Sequence, residues 1–393
     1  MGMLDVSATR PPAQAADRPT VVDLVRNLDW LLLTAIVGLV GYGLWAIAGI
    51  TRHDIPGEPS YHVVRQAVYA GLGGIGFLVA LAIDPGVYRR FRKPLYLGTI
   101  AVMVLVIATA GVTRGSRRWI DLGFFQLQPS EFGKLLFLFA LAGFLADRSR
   151  RIGEWGTVWR VVGLAVIPIG LVFAQPDLGT ALVYGAVLAA VLFVAGVRWL
   201  HLSVLGVAGV LAAVALLWAL PAAGVEVLKP YQTARIAAFT DREGDPAGAT
   251  YNVNQSITAV GAGGLRGRGV EGSTQTRYDY LPEHATDFVF ASLAEQRGFV
   301  GASVLLLLYL LLLWRGIRVI SIARDPFCAV VAGGIVFWLL FQIFVNVGMT
   351  MGIAPITGIP LPFVSVGGSS MVTSLVAVGV LQAIHLRSAR GRR

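Results

Sequence analysis

The chain has one cysteine, Cys328, in 393 residues, which rules out a disulfide within it. No Cys or His recurs at the spacing of a structural zinc site. Charge is scarce as well. Asp, Glu, Lys and Arg make up 14% of the sequence, against about 25% in ordinary soluble domains. With mean hydropathy at +0.71, a surface facing water on every side is excluded. The basic excess, +10 at pH 7, is broken into short runs and forms no continuous face. That pattern excludes a nucleic-acid partner and fits positive-inside bias beside anionic headgroups. The first 25 residues, with Pro11, Pro12 and mixed charges, lack the apolar core and cleavage site of a signal peptide and read as disordered.

What the chain has in quantity is apolar length. Hydrophobic residues make up 56%, in blocks of about 17 to 22 that suit a bilayer-spanning helix. Spans are expected at 29–50, 63–83, 95–112, 130–146, 158–174, 178–197, 201–222, 288–314, 328–349 and 367–386. The fold class is an all-α polytopic membrane protein of about ten transmembrane helices. Its parts are a disordered cytoplasmic N-terminus (1–28), seven spans (29–222), a large extracytoplasmic loop bearing the catalytic region (223–287), three spans (288–386) and a basic tail (387–393). Arg89, Arg90, Arg92 and Lys93, then Arg148, Arg150 and Arg151, then Arg315, Arg318 and Arg324 all fall on the side of the N-terminus. Both termini are therefore expected in the cytoplasm. Arg114, Arg117 and Arg118 break the bias on the other side, which implies a task there.

Polar and Gly/Pro-rich segments gather at that outer face, where burying them is costly. In Gln128-Pro129-Ser130-Glu131-Phe132-Gly133-Lys134, Glu131 and Lys134 share one helix face. They form either a self-satisfied ion pair or a lysine facing an anionic headgroup, held by Glu131. In Gln175-Pro176-Asp177-Leu178-Gly179-Thr180, Asp177 either caps the next helix or meets substrate. The run from Gly261 to Gly269 is either a turn or a phosphate cradle of backbone N–H groups. Asp287 stands where the polar loop meets the apolar run from Phe288. It either caps that helix, with Thr286 as rival, or serves as a base strengthened by partial desolvation. Ser365, Ser369 and Ser370 follow a Pro/Gly break that must line a cavity or be buried in protein. Their hydroxyls bond either sugar and phosphate or helix carbonyls.

These segments, with Arg117-Arg118-Trp119-Ile120, Tyr251 to Ser256, Leu281-Pro282-Glu283, Thr286-Asp287-Phe288, Thr357 to Phe363 and Gly367 to Ser370, resemble the SEDS family (shape, elongation, division and sporulation). The likeness covers nearly the whole chain and leans to its RodA branch over FtsW and SpoVE, on Gly272 to Thr276 and the Gln128 to Phe132 run. It implies a bacterial inner-membrane peptidoglycan glycosyltransferase that polymerises lipid II beside a class B penicillin-binding protein, the transpeptidase, and other elongation-complex membrane proteins. The family's catalytic carboxylate matches Asp287. The chain departs from the pattern at Ala285, where His is common and His284 stands one residue earlier. It also departs at Glu295-Gln296, where an acidic pair is usual, at Val366, and at Asn254.

The implied chemistry is inverting glycosyl transfer from a polyprenyl diphosphate. Asp287 takes the proton of the acceptor's 4-hydroxyl, while cations neutralise the departing diphosphate. Lys134, Arg117, Arg118, Arg65 and Arg266 are the candidate cations, with Glu131 orienting Lys134. Gln255, Ser256, Asp177, Ser365 and Ser369 complete the expected substrate contacts. No cofactor is demanded by the sequence; a divalent cation, Mg or Mn, bridging Asp287 and diphosphate stays open. The alternatives are a lipid II flippase, whose polar residues would line a path across the bilayer, and a non-catalytic scaffold of the synthesis complex.

Overall fold

Apolar runs of this length satisfy their backbone polar groups inside a bilayer by forming helices. The computed structural model describes residues 26–109, 118–121, 123, 125–225, 227–240 and 248–390, and most of them are helical. Seven long helices come first: α1 (Trp30–Ile50), α2 (Tyr61–Ala82), α3 (Arg92–Thr109), α4 (Pro129–Ala146), α5 (Trp155–Ala174), α6 (Leu178–Val194) and α7 (Trp199–Ala222). Two loop helices, α8 (Pro230–Thr240) and α9 (Ala249–Gly263), precede α10 (Val289–Ile322), α11 (Pro326–Thr350) and α12 (Gly368–Arg390). Eight of these, all but α3, α6 and the loop pair, are long and apolar enough to cross a membrane. Of the other two helices at expected spans, α3 opens on Arg92 and Lys93, and α6 has 17 residues. Residues 1–25, where disorder is expected, lie outside the described residues, as do Arg114, Arg117 and 391–393.

Local chemistry sets several helix ends. Asp29 caps α1 by accepting from the Leu32 N–H at 3.1 Å. Proline occupies the first turn of α4 and α11, where its missing N–H costs nothing. Pro168 lies inside α5 and cannot bond the Leu164 carbonyl one turn earlier. The Tyr96 hydroxyl donates to that carbonyl instead, at 2.6 Å, and so ties α3 to α5.

Burial separates centre from rim. The spanning windows of α4, α11 and α12 are 78%, 67% and 83% buried, whereas none of the α7 window is. On α7, Leu200, Val207, Leu211 and Trp218 are all exposed, as suits a lipid-facing helix. α2 lies along α12, and α1 lies along α10. At the end of the bundle carrying the Arg-rich turns, the buried Arg315 of α10 pairs with Asp29 at 2.7 Å.

α10 departs from expectation. Its 34 residues would extend about 51 Å as a straight rod, against about 30 Å of hydrocarbon. Gly298, at φ 66° and ψ −165°, breaks it. The Gln296 side-chain amide donates to the Gly49 carbonyl in the last turn of α1, at 3.2 Å. The piece before the break thus sits level with the end of α1, and residues 288–296 are buried on all sides. The expected span 288–314 is therefore corrected to a wrapped nine-residue piece and a crossing that runs from Gly298 to Ile322.

The glycine run repairs the break. The Arg268 N–H donates to the Glu295 carbonyl at 2.9 Å, and the Phe299 and Val300 N–H groups donate to Gly264 and Leu265 at 2.8 and 3.1 Å. A Cβ on Gly263 would overlap the Ala294 carbonyl, and one on Gly267 would overlap Gln296. Close backbone approach, rather than a phosphate cradle, accounts for these glycines.

Candidate functional site

Asp287 lies half-buried in a run of turns over residues 282–288. It is not a helix cap: Phe288 holds that position in α10. Glu283 takes a left-handed φ of 55°, a strained choice for a side-chain-bearing residue. Its carbonyl then accepts from the N–H groups of Thr286, Asp287 and Phe288, each at 3.1 Å.

Neighbouring segments clamp this turn by its backbone. The fully buried Asn346 of α11 donates to the carbonyls of Asp287 at 2.9 Å and Ile359 at 2.8 Å. Ser365 donates to the Thr286 carbonyl at 2.5 Å and accepts from the Leu361 N–H at 2.8 Å. The Val366 N–H donates to the Ala285 carbonyl at 3.0 Å. Gln66 of α2, wholly buried, donates to the Ser365 carbonyl at 3.0 Å and accepts from the Gly367 N–H at 3.2 Å. The irregular 355–367 backbone is thereby satisfied within protein, as membrane depth requires.

Gly358, at φ 71°, stands against two charged side chains. The point where its Cβ would sit lies 3.1 Å from Arg235 Nη1 and 3.5 Å from Asp287 Oδ2. A carboxylate from the turn and a guanidinium from α8 therefore flank the same glycine. The Arg235 guanidinium also lies 6.0 Å from the ring of Tyr231, one turn earlier. The Tyr231 hydroxyl donates to the Pro176 carbonyl at 2.7 Å. Burial pushes that phenol above its ordinary pKa, against the opposing pull of Arg118 and Arg235. Arg118 in turn pairs with Asp177 at 3.2 Å. Asp177 also accepts from Gln128 at 2.8 Å and from the N–H and hydroxyl of Thr180 at 3.1 and 2.9 Å. It caps α6 and anchors Arg118 at once.

The other expected residues divide by position. Lys134 is wholly buried, takes both oxygens of Glu131 at 2.8 Å, and stands 4.9 Å from the Trp338 ring. This is the self-satisfied pair, and it faces the core rather than a headgroup. Ser369 accepts from the Gln128 N–H and donates to the Gln126 carbonyl, both at 2.9 Å. Ser256 donates to the Thr350 carbonyl at 2.9 Å. These hydroxyls, like that of Ser365, are spent on backbone. Gln255 is half-buried on α9. Arg65 donates to the hydroxyls of Tyr61 and Tyr69 at 2.8 and 2.9 Å. Arg266 is exposed beside the α10 break. Arg117 lies outside the described residues.

Arg235 is the residue the sequence reading passes over. Its only signal is a cation one turn after Tyr231 on a Pro-started loop helix, and nothing in that spacing points to Asp287. His284 has its own network. Nε2 lies 3.0 Å from Asp54 in the α1–α2 turn, Nδ1 lies 3.3 Å from Asp279, and His62 approaches the other Asp54 oxygen at 3.7 Å. Burial favours its neutral ring, yet the Asp54 hydrogen bond and the charges of Asp54 and Asp279 outweigh that and raise its pKa. Among the described residues, no group of three or more His, Cys, Asp or Glu side chains is arranged to hold a metal ion.

Known proteins resemble the chain in sequence and fold. The chain is 37% identical to stage V sporulation protein E of Bacillus subtilis (strain 168) over 368 residues, covering 93% of this chain and 97% of that one. It is 36% identical to the peptidoglycan glycosyltransferase MrdB of Escherichia coli (strain K12) over 361 residues, 91% and 94% of the two chains. A chain from a solved peptidoglycan synthase complex, described as coordinating polymerization and crosslinking, superposes with TM-score 0.78 at 30% identity, covering 92% and 98%. The rod shape determining protein RodA of Thermus thermophilus superposes with TM-score 0.66 at 28% identity, covering 91% and 96%. The family model described as cell cycle protein matches residues 26–390, and the chain belongs to that family, the FtsW/RodA/SpoVE proteins.

Proposed function

We propose that this protein is a peptidoglycan glycosyltransferase that polymerises lipid II at the outer face of the bacterial inner membrane, in cell elongation and shape maintenance. Both termini lie in the cytoplasm, and a class B penicillin-binding protein works beside it. The names of the relatives support the activity, and the synthase complex supports a crosslinking partner. The observation that carries the reading is that the Asp287 carboxylate and the Arg235 guanidinium both stand against Gly358.

The reaction needs one base and one anion stabiliser. Asp287 accepts the proton of the acceptor sugar's 4-hydroxyl as its oxygen attacks the donor's anomeric carbon. The bond from that carbon to diphosphate breaks, and the electron pair leaves with the polyprenyl diphosphate. A positioned base contributes about 10²- to 10⁴-fold. Arg235 and, through Tyr231, Arg118 supply fixed positive charge for the departing phosphates, a role moved here from Lys134. A Mg or Mn ion, if used, would be held by Asp287 and would supply positive charge for the departing diphosphate.

Purified protein, with and without its transpeptidase partner, is to be given fluorescent lipid II. Glycan strands, with one polyprenyl diphosphate released per bond formed, are expected. Headgroup translocation without polymer would make it a flippase instead.

A further inference from the structure

At the membrane face opposite Asp287, the structure holds a second built concavity. α4 starts at Pro129 beside the Asp177 cluster and ends at Ala146, about 27 Å away along its axis. Between that far end, α3 and the start of α5 lies a cavity of about 830 Å³. Five cations line it, Arg92, Lys93, Arg148, Arg150 and Arg151, with a single carboxylate, Asp147. Asp147 is already taken by Arg92 and Arg89. The side chains of Lys93, Arg150 and Arg151 have no ion-pair partner among the described residues, and all three are exposed. The deeper wall is apolar: Ala140, Phe144, Tyr96 and Leu164, the last two joined where Pro168 frees a carbonyl. Trp155 and Trp159, stacked at 6.1 Å and both exposed, mark headgroup level beside it.

We propose that this cavity is a binding site for an anionic phospholipid of the inner leaflet. The phosphate sits among Lys93, Arg150 and Arg151, and the acyl chains follow the Phe144–Leu164 wall into the bilayer. Positive-inside bias explains cations on this face but requires no concavity. Arg90, Arg318 and Arg324 are exposed on the same face and line no such cavity. A soluble phosphate compound would share the cationic end of the site but would gain nothing from the apolar wall.

The test uses the full chain in nanodiscs of phosphatidylglycerol and phosphatidylcholine, with lipids still bound after release counted by native mass spectrometry. Wild type is expected to retain phosphatidylglycerol selectively. The triple variant Lys93→Gln/Arg150→Gln/Arg151→Gln should lose that retention by roughly fivefold per cation removed. The control Arg90→Gln/Arg318→Gln/Arg324→Gln removes as many charges from the same face and should behave as wild type. Added inorganic phosphate, at equal ionic strength, should leave the retained lipid in place. The proposal is overturned by wild type showing no phosphatidylglycerol preference, by equal loss in the control, or by displacement with inorganic phosphate. The wild-type preference decides the matter even where a variant folds poorly. None of these readouts depends on glycan synthesis.

Discussion

Asp287 and Arg235 both stand against Gly358. Arg235→Ala is expected to lower turnover on lipid II by about 100-fold while leaving the thermal midpoint near wild type, since its side chain is half-buried and stands over the Tyr231 ring. An unchanged rate would remove Arg235 from the site. His284 yields a pH prediction. Its folded-state pKa is raised above 6.5 by Asp54 and Asp279, against burial and with His62 nearby. A raised value means that its contribution to stability is complete below about 6.5 and fades as pH climbs through the folded value. His284→Gln should therefore lower the thermal midpoint more at pH 6 than at pH 9, read by a melting series in detergent. Equal losses at both pH values would deny the pairing. The sequence marked Asp287 because a lone carboxylate before an apolar run is conspicuous. It could not separate headgroup-facing cations from structural ones. Lys134 and Arg235 look alike in one dimension, and only packing shows the first spent on Glu131 and the second set against Gly358 with Asp287.

Among the helices, the positions of the long apolar ones were legible because hydrocarbon thickness imposes their length. The break in α10 was not: Glu295-Gln296-Arg297 interrupt the apolar run just before Gly298, but a short polar stretch and a single glycine do not by themselves mark a helix break. Nor was the purpose of the Gly261–Gly269 run, whose Gly267 lies against Gly298, 31 residues further along the chain. Gly298→Ala tests this. Its φ of 66° and the nearby Gly267 N–H leave a methyl group neither conformation nor space. A loss of about 1–3 kcal/mol is expected, seen as a lower thermal midpoint and faster proteolysis in the 249–277 segment. A variant as stable as wild type would mean that the break is not needed.

The two faces of the molecule carry different chemistry. One gathers a carboxylate, a tyrosine and two guanidiniums around a backbone-clamped turn. The other carries the Arg-rich turns and a lipid-sized cavity. Charge bias in the sequence pointed to this asymmetry, since short loops of one sign recur on alternate turns. The proposed reaction rests on the Asp287 carboxylate acting as the base. Glu283 and Asn346 hold this residue through its backbone, so replacing its side chain leaves their bonds in place. The most direct measurement is glycan-strand formation from purified lipid II by Asp287→Asn, inserted and monodisperse as wild type. A loss of about 100-fold or more is expected; strands made at the wild-type rate would mean that another group takes the proton.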